Sequence, residues 1–152
     1  MKTGLIMIRE ITKDDLTELL RLYTQLHDNP MPEPSEKLSS VFGQILGDGN
    51  QHVIVAEEDD KIVASCVLVI VPNLTHNQRP YALIENVITD EEFRERGFAT
   101  ACLSFAKGIA QAENCYKIML MTGSKQESTF RFYEKAGYNR EDKTAFIQWL
   151  DI

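Results

Sequence analysis

The sequence is poor in several features, and each absence removes a class of function. Cysteine is scarce: Cys66, Cys102 and Cys115 are the only three, scattered through apolar or helical stretches. They form no CxxC pair, which leaves neither a zinc site nor a disulfide framework, and they read as buried free thiols in a reducing cytosol. The three histidines, His27, His52 and His76, are scattered and none is a sequence neighbour of Cys102 or Cys115. A cysteine nucleophile with an imidazole base is therefore not expected. Positive charge is also in deficit. The formal net charge is −7, the opposite of the footprint of a nucleic-acid binder, and only Arg94 and Arg96 offer the centre of a local basic patch. No run of about 18 apolar residues exists to span a membrane. The apolar stretch Leu5–Ile8 is cut by Arg9 and Glu10, too short for the core of a signal peptide. Two glycine-rich phosphate loops are missing as well. There is no GxGxxG, and Gly123-Ser124-Lys125 lacks the rest of a Walker A loop.

What is present fits one domain over residues 1–152, 43% hydrophobic and 26% charged, long enough to bury a substantial core. Leu5–Ile11 reads as a strand. A helix follows from Thr12 or Lys13-Asp14, with the stripe Leu16, Leu19, Leu20, Tyr23 and Leu26. The prolines at 30, 32 and 34 break it, Ser35 caps a second helix with the stripe Leu38, Val41, Phe42, Ile45 and Leu46, and Gly47–Asn50 ends that one. The period then changes. His52–Glu57 and Lys61–Val71, rich in Val and Ile, form a hairpin. Pro72–Pro80 is a polar loop, expected at the surface near whatever the protein binds. Tyr81–Thr89 is a strand. A long helix follows, with Phe98, Ala101, Cys102, Phe105, Ile109 and Ala112 predicted as its buried face. Tyr116–Thr122 is a strand, Lys125–Ala136 a helix, and Thr144–Leu150 a closing strand. Strands cluster mid-chain with helices on either side, so the sheet is expected to be mixed.

Two segments carry chemistry. In the first, the strand bearing Glu85, Asn86, Val87 and Ile88 runs through an acidic turn into Arg94-Glu95-Arg96-Gly97-Phe98-Ala99-Thr100. Gly97 and Ala99 allow a close backbone approach. The first N–H groups of the helix have no intrahelical partner and suit a pyrophosphate. Arg94 or Arg96 adds charge-assisted contacts. Alone, this pattern reads more readily as a turn glycine beside solvated arginines. In the second segment, Phe130–Tyr138, a helix ends at Gly137. Phe130 and Ala136 read as core. Tyr133 reads either as core or as a proton donor.

Together, in this order and about 30 residues apart, Arg94-x-x-Gly97-x-Ala99 and Phe132-Tyr133-Glu134-Lys135-Ala136-Gly137-Tyr138 resemble the GNAT superfamily of acyl-CoA-dependent N-acetyltransferases. Cys115–Ile118, Tyr133–Lys135 and Ile84-Glu85 are similar to the glucosamine-6-phosphate branch. The resemblance implies an α/β (α+β) fold, a mixed central sheet of about six to seven strands flanked by about four helices. It implies acetyl-CoA as co-substrate, no metal, a small-molecule primary amine as acceptor and a homodimer. Asn86, Val87 and Ile88 would hold the pantetheine arm through backbone groups. Arg96, Gly97, Phe98, Ala99 and Thr100 would hold the pyrophosphate through their N–H groups. The amine would attack directly in a ternary complex, with Glu85 as base, the Ile88 N–H as oxyanion donor and Tyr133 protonating the departing thiolate. A family asparagine seven residues before the tyrosine is Gln126 here, so its contact to the cofactor arm would fall to Gln126 or Ser128. The aspartate that the glucosamine-phosphate enzymes carry on the strand after Tyr116-Lys117-Ile118 is replaced by Met121 or is absent, which weighs against their substrate. A catalytically silent acetyl-CoA sensor and a protein N-acetyltransferase remain open as alternatives. A DNA-binding regulator is disfavoured, because the turn after the first helix is long and proline-rich and that helix carries Asp14, Asp15 and Glu18.

Overall fold

The computed structural model describes residues 5–27 and 29–151. Its elements are β1 (Ile6–Glu10), α1 (Leu16–Tyr23), α2 (Glu36–Gly47), β2 (Gln51–Glu58), β3 (Lys61–Val71), the short turn α3 (Thr75–Gln78), β4 (Tyr81–Thr89), α4 (Phe98–Ala112), β5 (Ile118–Leu120) and α5 (Glu127–Lys135). The strands form one sheet in the order β1-β2-β3-β4-β5. The first four pair antiparallel and β5 joins β4 parallel, so the sheet is mixed as expected.

Alternation along the strands splits the core in two. Ile54, Ala56, Cys66, Leu68, Ile70, Ala82 and Ile84 face α4, while Val53, Val55, Val67 and Ile88 meet Leu19 and Leu22 of α1. Both sheet faces are covered, which is why β2 and β3 read as continuous apolar runs rather than alternating ones. The α5 side chains Phe132, Tyr133 and Ala136 pack on the α4 face.

Two expectations need correction. The sheet has five strands, not six or seven, because Thr144–Leu150 forms no strand. A strand requires a ladder partner, and this apolar segment has none among the described residues. The buried face of α4 is Phe98, Cys102, Leu103, Ala106 and Ala110, while Phe105 is exposed. The seam follows the four-residue spacing 98-102-106-110, and small alanines approach the sheet where larger side chains were expected. Pro72–Pro80 is a largely exposed loop, as expected, and leads into the start of β4. There His76 stacks on Tyr116 at 3.8 Å, and Arg79 donates to the Asn114 and Cys115 carbonyls.

A charge network ties α1 to the sheet. Asp90, fully buried, accepts from Arg21 Nη1 at 2.9 Å and lies 3.7 Å from Lys61 Nζ. Arg21 Nη2 also donates to the Ile62 carbonyl at 2.7 Å. Burial alone would raise the Asp90 carboxyl. The hydrogen bonds from the Glu92 N–H and Arg21 outweigh it and hold the group below the ordinary carboxylate range.

Candidate active site

The site grows from an irregularity in β4. Val67 faces Glu85 and Ser65 faces Ile88, so two residues, Asn86 and Val87, stand opposite the single Cys66. This is a β-bulge, and Asn86 takes the left-handed conformation with φ 52°. On its other side, β4 pairs with β5 only as far as Ile84 opposite Leu120. Beyond that point the two strands part, and the backbone from Glu85 onward has no β5 partner.

The direction of each N–H in this stretch follows from strand alternation. Ala82 donates to the Lys117 carbonyl, toward β5, and Asp90 donates to the Val63 carbonyl, toward β3. Counting back from Asp90 directs the Ile88 N–H at β3, opposite Ser65, and the Val87 N–H into the gap. The bulge shifts the alternation by one residue, so on this count the N–H of Ile88, the expected oxyanion donor, faces β3 and that of Val87 faces the gap.

The gap is flanked on both faces. Alternation from the buried Ile84 puts Glu85 on the α1 face, where its side chain is exposed and joins no ion pair among the described residues. On the same face Tyr23, Leu26, His27, Asn29 and Asn86 line an open cleft of about 400 Å³. Burial raises the Tyr23 phenol, and hydrogen bonding with Asn86 and Ser65 partly offsets this. On the α5 face Tyr133 is half-buried, edge-on to Phe132 at 5.0 Å and to Tyr138 at 6.4 Å. Burial, and to a lesser degree the neighbouring Cys66, raises the Tyr133 phenol; the Tyr138 phenol is pushed up to about 12. Tyr133 thus keeps its proton at neutral pH and can donate it. Cys66 and Cys102 are no rivals as nucleophiles. Both are fully buried, and desolvation raises both thiols, Cys66 to about 12.

Downstream of the bulge lies the loop into α4. Gly97 is its N-cap, left-handed with φ 82°, and an added Cβ there would meet no atom within 4 Å. No side chain caps the helix, so the N–H groups of Phe98, Ala99 and Thr100 face outward without an acceptor among the described residues. The two arginines differ. Arg94 is exposed and unpaired among the described residues. Arg96 forks onto Glu58 at 2.7 and 3.0 Å, with its guanidinium over the Phe93 and Phe98 rings. Its side chain shapes the loop, while Arg94 is the freer cation. Gln126 caps α5 with its backbone, and both it and Ser128 are exposed at that helix's start. Nearby, Ser124 Oγ and Thr129 Oγ1 lie 3.0 Å apart. Among the described residues, no group of three His, Cys, Asp or Glu side chains is arranged to hold a metal.

Most of these residues were expected from sequence. Tyr23 was not, because its helical spacing assigns it to the core.

Comparison with known proteins gives a consistent result. The profile of the Acetyltransferase (GNAT) family matches residues 13–138. A glucosamine 6-phosphate N-acetyltransferase of Trypanosoma brucei brucei is 27% identical over 137 residues, 90% of each chain. A solved structure from Agrobacterium tumefaciens strain C58, provisionally named an acetyltransferase, is 38% identical with a TM-score of 0.88, covering 94% of this chain and 99% of that one. Another, named a transcriptional regulator, from Bacillus halodurans C-125, is 25% identical with a TM-score of 0.85, covering 95% and 100%.

Proposed function

The chain belongs to the GNAT acetyltransferase family, and from that premise we propose that it transfers an acetyl group from acetyl-CoA to the primary amine of a small molecule. The observation that carries this reading is the continuity of one path. It runs from the uncapped start of α4 behind Gly97, along the unpaired edge of β4, to the bulge at Asn86 and Val87. A pyrophosphate at the outward N–H groups of Phe98, Ala99 and Thr100 meets the positive end of the helix dipole. Arg94 lies close by in the same loop. A pantetheine arm along the gap satisfies backbone groups that β5 leaves open, with Gln126 and Ser128 at its far wall. The arm then ends between the two faces that hold Glu85 and Tyr133.

The acceptor enters from the α1 face, through the cleft of Tyr23, His27, Asn29 and Asn86. A free alkylamine has a pKa of roughly 10.4 and must lose a proton before it attacks. Glu85, directly or through water, takes that proton. The amine nitrogen bonds to the thioester carbonyl carbon, and the Val87 N–H stabilises the oxygen as it becomes an oxyanion. Collapse breaks the carbon–sulfur bond, and Tyr133 protonates the departing thiolate. No acyl-enzyme forms. The cleft presents a phenol, an imidazole and two carboxamides, a set suited to a hydroxylated amine such as an amino sugar. Met121 in place of an acidic residue leaves the individual sugar open.

The test is amine-dependent release of free thiol from acetyl-CoA, run with glucosamine 6-phosphate, uncharged amino sugars, polyamines and aminoglycosides. Turnover with at least one class, slowed in Tyr133→Phe, supports the reading. A folded protein that binds acetyl-CoA yet turns over none of these, nor a peptide amine, is a sensor rather than an enzyme.

A further inference from the structure

The cleft beside the bulge has a consistent electrical character. Its described lining is Tyr23, Leu26, His27, Asn29 and Asn86, with no lysine or arginine among them. The orientation of Asn29 is set by chemistry. Its Nδ2 donates to the Tyr23 carbonyl at 3.2 Å, and a carbonyl can only accept. The amide nitrogen is therefore turned toward the end of α1, and the Oδ1 oxygen, with no donor among the described residues, is left for the cleft. α1 itself ends at Tyr23, and the carbonyl end of a helix carries negative partial charge.

Beyond the lining, positive charge on the α1 side is already spent. Arg9 binds Asp15 and Glu57, Arg21 binds Glu18 and Asp90, and Lys61 lies against Asp90. Three cations thus face four carboxylates, and the exposed Glu85 adds a fifth carboxylate that joins no ion pair among the described residues. The chain as a whole carries a formal charge of −7, which draws cations toward it. A phosphate monoester, with about −1.5 to −2 of charge near neutral pH, finds no lysine or arginine on the described lining to replace its water.

We propose, resting on the acetyl-transfer reading of this cleft, that its acceptor is an amine bearing a second ammonium group and no phosphate. The reacting nitrogen lies at the bulge, beside Asn86 and Glu85. The second ammonium lies at the other end of the cleft, against Asn29 Oδ1 and the carbonyl end of α1. A cleft of about 400 Å³ has room for an open-chain diamine or a diamino sugar, and both present the same two charges. The group at the second position selects: an ammonium strengthens binding, a hydroxyl is intermediate, and a phosphate weakens it.

Binding tests this without turnover. The native chain, with free CoA present, is titrated at pH 8, where an imidazole is uncharged and an alkylammonium keeps its proton. Ligand-observed NMR reads the affinity. Three sugars share a 2-amine and differ at carbon 6: glucosamine carries a hydroxyl there, glucosamine 6-phosphate a phosphate, and 2,6-diamino-2,6-dideoxyglucose an amine. Butylamine and 1,4-diaminobutane make the same comparison without a ring. The second ammonium should tighten binding by about tenfold or more in at least one series. The phosphate should weaken it, and the gain from the second ammonium should shrink as salt is raised. The series with the larger gain distinguishes a diamino sugar from an open-chain diamine. Asn29→Asp should widen the gain and Asn29→Lys should erase it, with circular dichroism checking that each variant is folded; if either is not, the native series decides alone. Equal affinity for monoamine and diamine in both series would overturn the proposal. So would failure of both diamines to bind, glucosamine 6-phosphate binding as tightly as glucosamine, or a gain that a folded Asn29→Lys leaves intact. Binding in the expected order without thiol release from acetyl-CoA would support the charge preference of the cleft and remove the transferase reading.

Discussion

Replacing Gly97 with alanine separates a backbone cost from a ligand cost. With φ at 82°, Gly97 occupies a region that an L side chain enters at a cost of roughly 1–2 kcal/mol. The added Cβ meets no protein atom within 4 Å, so no packing penalty is added. At about 2–4 °C per kcal/mol for a chain of this size, the melting temperature should fall by about 2–8 °C. The space the Cβ enters is where the pyrophosphate is proposed to lie. Acetyl-CoA affinity should therefore fall at least tenfold, about 1.4 kcal/mol. Asparagine tolerates the left-handed region better than alanine, yet is larger. Gly97→Asn should recover part of the stability while binding acetyl-CoA no better than the alanine variant. Urea denaturation without ligand reads the first effect, and the stabilisation conferred by acetyl-CoA reads the second. Opposite rankings of the two variants in the two assays are expected. If Gly97→Ala kept full acetyl-CoA affinity while losing stability, the glycine would serve the turn alone and the pyrophosphate loop would be misplaced. A loss far above 2 kcal/mol would mean that packing, not φ, selects the glycine.

Other residues give further tests. Tyr133→Phe removes a hydroxyl with no hydrogen-bond partner among the described residues; transfer should slow by roughly 10²-fold or more, with little change in melting temperature or in KM for acetyl-CoA, measured by thiol release. Asp90→Asn removes the buried anion that Arg21 and Lys61 face, but Arg21 keeps Glu18 and the Ile62 carbonyl and both cations are partly exposed, so the cost in urea denaturation should be about 1.5–3 kcal/mol. The folded Asp90 carboxyl lies below its unfolded value of about 3.9. Its contribution is therefore complete above that pH and lost as pH falls through the folded pKa, so the variant should show a shallower decline of stability in acid. A thiol reagent at neutral pH should modify Cys115, which is partly exposed, before Cys66 and Cys102, which are buried. Peptide mass mapping of the native protein decides this, and early labelling of Cys66 would contradict the closed core behind the bulge.

The parts of the fold legible in sequence were those set by local pattern. The Val- and Ile-rich runs of β2 and β3 announced a hairpin, and Gly97 ahead of an amphipathic run announced the start of α4. Features requiring two distant segments were not legible. Tyr23 shares the helical spacing of Leu19 and Leu26, and only the tertiary fold sets it beside Asn86 in the cleft. Asp90 and Arg21 stand 69 residues apart, with nothing local to link them. The bulge is a matter of register between β3 and β4, so sequence could place Val87 and Ile88 in the site but not decide which N–H faces the gap. Thr144–Leu150 has the composition of a strand, but a strand needs a ladder partner, and this segment pairs with none among the described residues.

The most direct test of the account is titration calorimetry of acetyl-CoA into the native protein. The expected result is one site per chain, micromolar affinity and release of bound acetyl-CoA by free CoA. No heat of binding from a protein shown to be folded would contradict the placement of the cofactor along Gly97 and the β4 edge, and with it the proposed acetyl transfer.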